Sequence, residues 1–498
     1  MEFSGFMISE ENGLNTNIIF NKQLRYIYVV TISVFVFSII LHIAMAFSNS
    51  LWMDEFYTIF FIKDGRSISD LLRFCRTTEV TNPPLYYIVM YYLYRVLPHT
   101  EGFMRMPSVV FFIIGVFFLV GYVWRISKKE VFPTLMVFCL VPINVFSIGY
   151  ISGEMRAYAQ MFMLACAFLY FRDKLLDTES IVDVVKTGLI VLLLGLTHYA
   201  GVIMVSYFGF ADIISVVRKK QRKRVLMVYM VPALIICAWL FSALRTSEVD
   251  VSVFWADIPD YHDVLRMFSW LFGSKLMCIV VLLGVVILLY KQIKKKDMYE
   301  NHEIWELIAS CVYMIALVYV YSRYVNPKGG IFVARYFVPI MPSAMASVTL
   351  VIGKLTHHWY NKKCMGPLIL GACVLLMLVP NMERINKRIT GDYLIRENAS
   401  LIRELYEDPE TEAIVYDDEV VMEAFVDFYL RDGNYRTIDI NDVEQLNQVS
   451  KLFAFTASRD DRFEKMDALS GYTVKSYTEG TAVYVYTKEE LREYEDAQ

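Results

Sequence analysis

The chain has 498 residues, of which 56% are hydrophobic, 15% aromatic and only 20% charged, with a net charge of -4. That balance excludes an ordinary soluble multidomain protein and reads as a polytopic membrane protein. The charge total says little, because the basic residues cluster between apolar runs while much of the acid lies after residue 390.

Residues 1–23 form a polar N-terminal tail, and the apolar run at 24–47 that follows lacks a small-residue cleavage site, so it reads as a retained signal anchor. Further runs long enough, or nearly so, to cross about 30 Å of hydrocarbon lie at 105–125, 131–149, 155–171, 180–196, 199–217, 226–244, 267–290, 303–321, 335–354 and 364–380. The spacing predicts an α-helical polytopic protein with about eleven transmembrane helices. The division of 180–217 rests on a tight turn at Thr197-His198-Tyr199-Ala200-Gly201.

The stretch 83–97 opens with Pro83-Pro84 and carries Tyr86, Tyr87, Tyr91, Tyr92 and Tyr94. If it does not cross, the clusters around Arg125, Arg172, Arg218–Arg224, Lys294–Lys296 and Lys362 all share the cytoplasmic side with Lys22 and Arg25, as the positive-inside rule asks. It is therefore predicted as an interfacial helix on the outer surface. The clusters read as topological determinants that meet anionic lipid, not as a nucleic-acid patch.

A long first external loop, 48–104, follows from this topology. After Pro380 the long apolar runs end, and 391–498 alternates helix-like segments (400–406, 420–430, 442–449, 462–469) with strand-like ones (413–416, 436–440, 451–456, 473–477, 482–486). An odd number of spans puts this small C-terminal α/β domain on the extracytoplasmic side of a plasma-membrane protein whose N-terminus is cytoplasmic.

The eight cysteines show no disulfide framework and no CxxC pattern. No GxxxxGK[ST] and no strand-associated GxGxxG is present, which predicts no nucleotide cofactor. Instead, polar residues gather at the outer ends of the spans: Asp54, Glu55, Glu79 and Arg105 from the first loop, Glu154, Arg156 and Tyr158, then His198, then Arg335-Tyr336. Ionisable groups at a membrane boundary mark function unless they are paired. A bland reading stands beside each. Glu154 and Arg156 could form an interfacial ion pair, His198 could cap a helix, Arg335 could be a snorkelling anchor, and Asp417-Asp418-Glu419 reads as a solvated helix N-terminus.

The order Asp54-Glu55, Pro83-Pro84-Leu85-Tyr86-Tyr87, Arg105-Met106-Pro107-Ser108, Glu154/Arg156/Tyr158, Thr197-His198-Tyr199 and Arg335-Tyr336 resembles bacterial GT-C membrane glycosyltransferases. These include protein O-mannosyltransferases and the aminoarabinose transferases of lipid A. The resemblance covers the membrane part, 24–390, and hardly touches the C-terminal domain. It implies inverting transfer of a sugar from a polyprenyl-phosphate carrier to an acceptor hydroxyl of a glycan, lipid or protein on the outer face, among membrane lipids and without nucleic acid. In that family the matching aspartate, Asp54, is the catalytic base, and Glu55 would orient acceptor or base. Glu79, Arg105, Glu154, Arg156, Tyr158, His198, Arg335 and Tyr336 would bind substrate. Charge on the leaving phosphate needs Arg156, Arg335 or a divalent metal. Asn82 stands where many relatives have histidine or lysine, which leaves Glu79 and His198 as the metal candidates.

Two other functions fit the composition. A polar-lipid or glycolipid flippase would line a pathway with the same groups, but no inverted repeat is evident and the charges sit at one boundary rather than the midplane. A scaffold acting through its C-terminal domain would not explain the polar residues at the span ends.

Overall fold

A backbone in hydrocarbon must satisfy its own hydrogen bonds, and long apolar runs do so as helices. In the computed structural model all eleven predicted runs are helical over most of their length. Residues 14–390 are described, apart from 81, 220–222, 248–255, 296–300 and 361–364; beyond 390 the described segments are 413–416, 419–431, 435–439, 442, 444–445, 452–456, 473–477 and 484–487. The predicted helix at 400–406, most of that at 442–449, and that at 462–469 lie outside them, as do Asp417 and Asp418.

The helices are α1 (Leu14–Ser48), α2 (Met53–Ile62), α3 (Ile68–Thr77), α4 (Leu85–Tyr94), α5 (Glu101–Ile126), α6 (Val131–Leu140), α7 (Tyr158–Thr178), α8 (Ile181–Thr197) and α9 (Tyr199–Val217). There follow α10 (Met227–Thr246), α11 (Tyr261–Leu271), α12 (Lys275–Lys295), α13 (His302–Val320), α14 (Met341–Tyr360), α15 (Met365–Leu378) and α16 (Met382–Thr390). Among the described residues eight helical stretches are long and apolar enough to cross a membrane, built on α1, α5, α9, α10, α12, α13, α14 and α15. Helices α6 and α8 are shorter, at 10 and 17 residues, and α7 carries Arg172, Asp173, Lys174 and Asp177 in its last turns. The chain is a multi-pass membrane protein.

Helix α14 runs through the middle of the bundle. Its apolar window is 94% buried, against 22% for the stretch containing α10. Helices α5 and α7 lie side by side, and a Cβ at Gly115 would come within 2.7 Å of the Phe162 ring, so the missing side chain lets the two helices approach.

Three expectations change on inspection. The run 267–290 is not one span: Gly273, at φ +100°, ends α11 and turns the chain into α12. The turn splitting 180–217 shrinks to one residue, His198, with extended backbone between α8 and α9. Helix α4 is too short to cross, at 10 residues, but its rings do not lie free on a surface. Tyr86, Tyr87 and Tyr94 are fully buried in a second core made with α2 and α3, while Tyr92 is exposed.

That second core is completed from the far end of the chain. Helix α17 (Glu419–Tyr429) packs Phe425 and Tyr429 edge-on against Phe56 of α2, at ring separations of 6.0 and 6.1 Å. Around it lie β1 (Ala413–Tyr416), β2 (Thr437–Asp439), β3 (Leu452–Thr456), β4 (Thr473–Tyr477) and β5 (Tyr484–Thr487). The sheet order is β2-β1-β3-β5-β4. Strand β1 pairs parallel with β2 and β3, Ile414 opposite Thr437 and Phe453, and β5 runs antiparallel to β3 and β4. The β1–α17–β2 unit is the crossover that parallel neighbours require.

Candidate active site

The site begins where α1 ends and α2 starts. Glu55, at the third position of α2, reaches back to the Trp52 N–H at 3.1 Å, satisfying a donor that the first turn leaves open. Arg105, in the first turns of α5, grips the same carboxylate with Nε to Oε1 at 2.8 Å and Nη2 to Oε2 at 2.5 Å. The Met155 N–H adds a bond to Oε1 at 2.6 Å, so four bonds fill this carboxylate. Arg105 gives its remaining donors to carbonyls at the C-terminal end of α1: Ala46 at 3.1 Å, Asn49 at 2.7 Å and Ser50 at 2.7 Å. All five guanidinium N–H groups are engaged. Glu55, expected to orient acceptor or base, and Arg105, expected to bind substrate, staple α1, α2 and α5 together, with their hydrogen-bonding capacity taken up inside the chain.

Asp54, one residue earlier, faces the other way. Its carboxylate Oδ2 lies 2.7 Å from Arg335 Nη1, and its backbone carbonyl accepts from Arg156 Nη1 at 3.0 Å. Arg335 enters from the 3₁₀ turn Ala334–Ile340 that leads into α14. Its guanidinium centre also lies 5.4 Å from the Trp52 ring and 6.0 Å from that of Tyr158. It is turned inward and does not snorkel.

The third contributor is the segment between α6 and α7, a π-helical turn at Ser147–Ile151 followed by 152–157, buried except for the half-buried Tyr150. Ser108 Oγ holds the Glu154 carbonyl at 2.8 Å and Thr58 Oγ1 the Met155 carbonyl at 3.1 Å. Glu154 and Arg156 do not pair with each other. Arg156 lies between Tyr87 Oη at 3.3 Å and Glu79 Oε1 at 3.7 Å, and Glu79 also accepts from Asn82. Glu154 Oε1 takes Arg388 Nη2 of α16 at 2.8 Å, and Arg388 also reaches the Gly149 carbonyl. Burial pushes the Glu154 carboxyl up to about 7, against the pull of Arg388.

His198 does cap a helix, its Nδ1 accepting from the Ala200 N–H at 3.1 Å. Burial, with Arg156 and Arg335 nearby, pushes it down to about 3, so the ring is neutral. It sits 5.0 Å from the Tyr336 ring and 5.9 Å from that of Tyr158. Among the described residues His198 Nε2, Glu154 Oε2, Trp52 Nε1 and Arg384 Nη1 are buried polar atoms without a hydrogen-bond partner. Unmet buried groups are costly, and so many near a carboxylate–guanidinium pair are suited to a polar ligand.

A divalent metal does not fit the residues that were candidates for it. Among the described residues no group of three His, Cys, Asp or Glu side chains gathers to hold one. Glu79 is engaged by Arg156 and Asn82, and His198 already feels two guanidiniums, which a metal charge would oppose.

Arg384 and Arg388 were missed in the sequence because they follow the last apolar run and look like ordinary basic residues past a span end. Their helix brings them back: Asn49 Nδ2 donates to the Arg388 carbonyl at 2.6 Å, and Arg384 lies 4.7 Å from the Trp270 ring. Tyr429 was missed for its distance along the chain. Its hydroxyl accepts at 2.9 Å from the N–H of Leu51, three residues before Asp54, and donates to Glu101 Oε1 at 3.1 Å.

This helical membrane bundle, in which polar residues of the first loop, the middle and the last helices meet at one end, shares its fold with solved membrane proteins. In solved structures the chain is similar to ArnT from Cupriavidus metallidurans bound to undecaprenyl phosphate, with a TM-score of 0.59 at 9% identity over 93% of this chain and 98% of that one. The apo state of the same protein gives a TM-score of 0.56 at 10% identity, over 93% and 97%. A weaker likeness, TM-score 0.47 at 10% identity over 92% and 74%, is to the apo oligosaccharyltransferase of Archaeoglobus fulgidus; the fold assignment rests on the ArnT pair. No family model matches the sequence, and no curated protein matches it.

Proposed function

We propose that the chain is an inverting glycosyltransferase that moves a sugar from a polyprenyl-phosphate carrier to an acceptor hydroxyl at the outer face of the plasma membrane. The observation that carries this reading is the Asp54–Arg335 pair standing among buried, unmet polar groups, on a fold shared with a protein that binds undecaprenyl phosphate. About eleven spans, a cytoplasmic N-terminus and an extracytoplasmic C-terminal domain at 391–498 go with it, because the basic loops then lie inside.

In this mechanism the Asp54 carboxylate accepts the acceptor hydroxyl's proton as the oxygen attacks the anomeric carbon. The bond from that carbon to the phosphate oxygen breaks, the phosphate leaves with the electron pair, and the configuration inverts. The leaving group gains negative charge, and Arg335 with the Arg384/Arg388 pair takes it up. Arg156, Tyr158, His198 and Tyr336 wall the sugar pocket, and Glu55 with Arg105 holds Asp54 in register. No step uses a metal.

The test is to offer the purified chain in proteoliposomes a panel of polyprenyl-phosphate sugars and follow released polyprenyl phosphate together with the anomeric configuration of the product. Release with inversion is expected; release with retention would overturn the single-displacement mechanism.

A further inference from the structure

Helices α5, α7 and α9 and the α14 stretch each bring a residue of the candidate active site to one end. Their opposite ends, with the start of α13, enclose a cavity of about 840 Å³. Along α7, Tyr158 at the active site and Arg172 at the cavity are about 21 Å apart at the helical rise. The basic clusters lie at this end, which puts it at the inner headgroup level under the topology proposed above.

The floor of the cavity is an ionic network that, among the described residues, engages Glu306 through Oε1 alone. Arg172 gives Nε and Nη2 to Asp212 at 3.1 and 2.5 Å and Nη2 to Glu306 at 2.8 Å, while Tyr229 donates to Asp212. Nearer solvent the charges are less committed. Lys128, in the turn after α5, has no carboxylate partner among the described residues, and the Lys354 ammonium rests on the neutral Asn301 amide oxygen. Glu303, in the first turn of α13, has beside it the His302 ring at 3.3 Å. The lining as a whole carries the cations Lys128, Arg172 and Lys354 against the carboxylates Glu130, Asp212, Glu303 and Glu306. A plain anion would meet a net negative wall. A zwitterion finds both signs, and Leu176 and Leu350 offer apolar surface for what is attached to it.

We propose that this cavity binds an inner-leaflet phospholipid with a phosphoethanolamine headgroup, its phosphate on Lys128 and Lys354 and its ammonium on Glu303 and Glu306. A primary ammonium has three N–H donors to give to carboxylates, which a quaternary phosphocholine lacks. A glycerol headgroup offers those carboxylates no charge. The bound lipid would tie together the far ends of the helices whose near ends hold the active site.

The experiment is native mass spectrometry of the delipidated full chain, titrated separately with phosphatidylethanolamine, phosphatidylcholine and phosphatidylglycerol. One phosphatidylethanolamine per chain is expected, held about tenfold more tightly than either of the others. The double variant Lys128→Ala/Lys354→Gln should lose affinity for the ethanolamine and choline lipids alike, whereas Glu303→Gln should lower phosphatidylethanolamine to the choline level. Equal or stronger retention of phosphatidylglycerol, no retained lipid, or binding untouched by both variants overturns the proposal. If the variants fail to fold, the wild-type ranking of the three lipids decides alone. Lipid retention is read without sugar transfer, so failure of this site and failure of the transferase reading are separate results.

Discussion

Arg335 Nη1 stands 2.7 Å from Asp54 Oδ2, so the proposed base and the proposed phosphate receptor are in contact before any substrate arrives. A carrier phosphate entering the site competes for the guanidinium and releases the carboxylate towards the acceptor. Arg335→Ala should therefore lower kcat by roughly 10²–10³, the usual loss for one donor to developing charge. Arg335→Lys should recover part of that loss, since it keeps the charge but not the fork. Steady-state kinetics on the two variants check this.

Arg105 and Glu55 form the opposite kind of pair, closed and without spare capacity. Removing the guanidinium leaves a buried carboxylate unpaired, and Arg105→Ala should cost about 3–5 kcal/mol of stability. The double variant Arg105→Met/Glu55→Leu should be less damaging than Arg105→Ala. Thermal unfolding in detergent measures both; equal damage would mean that the charge pair is not what holds α1 to α2.

Glu154 makes stability depend on pH. Its folded value of about 7 lies above the ordinary carboxyl value of 4.5, so between these the folded chain holds a proton that the unfolded chain has released. The stabilisation is complete below 4.5 and is lost as pH rises through 7, to the extent of about 3 kcal/mol. Glu154→Gln should flatten this slope, read as the unfolding midpoint at pH 5, 6, 7 and 8. The same substitution should reduce transfer, because it removes the partner that orients Arg388.

Helix α17 reaches the site through Tyr429. Tyr429→Phe strips the Leu51 N–H and Glu101 of a buried partner and should cost about 1–3 kcal/mol. Phe425→Ala, which opens the packing against Phe56, should cost about 3–5 kcal/mol. Both should lower kcat more than they raise KM for the donor, since α17 touches α2 and not the carrier. Unchanged kcat in both would separate the C-terminal domain from catalysis.

The membrane helices were legible because hydrocarbon leaves apolar runs one way to satisfy their backbone. The run 267–290 was read as one span because an apolar composition resumes beyond Gly273, whose positive φ marks the break. At the site, Asp54, Arg156 and Arg335 stood out as charges at span ends. Asp54 and Glu55 were told apart only by the family resemblance, because they are neighbours of the same type and the contact that sets Glu55 apart comes from Arg105, 50 residues away. Arg388 and Tyr429 carried no local signal, since their importance comes from packing against the first loop, 339 and 378 residues earlier. His198 shows both readings in one ring, a capping Nδ1 and an unpartnered Nε2.

The most direct measurement is single-turnover release of polyprenyl phosphate by the intact chain and by Asp54→Asn, in proteoliposomes loaded with a donor sugar that the wild type uses. The account predicts that Asp54→Asn inserts and folds normally, still binds the donor, and releases no lipid phosphate above background. Near-normal release by that variant would contradict the assignment of Asp54 as the base.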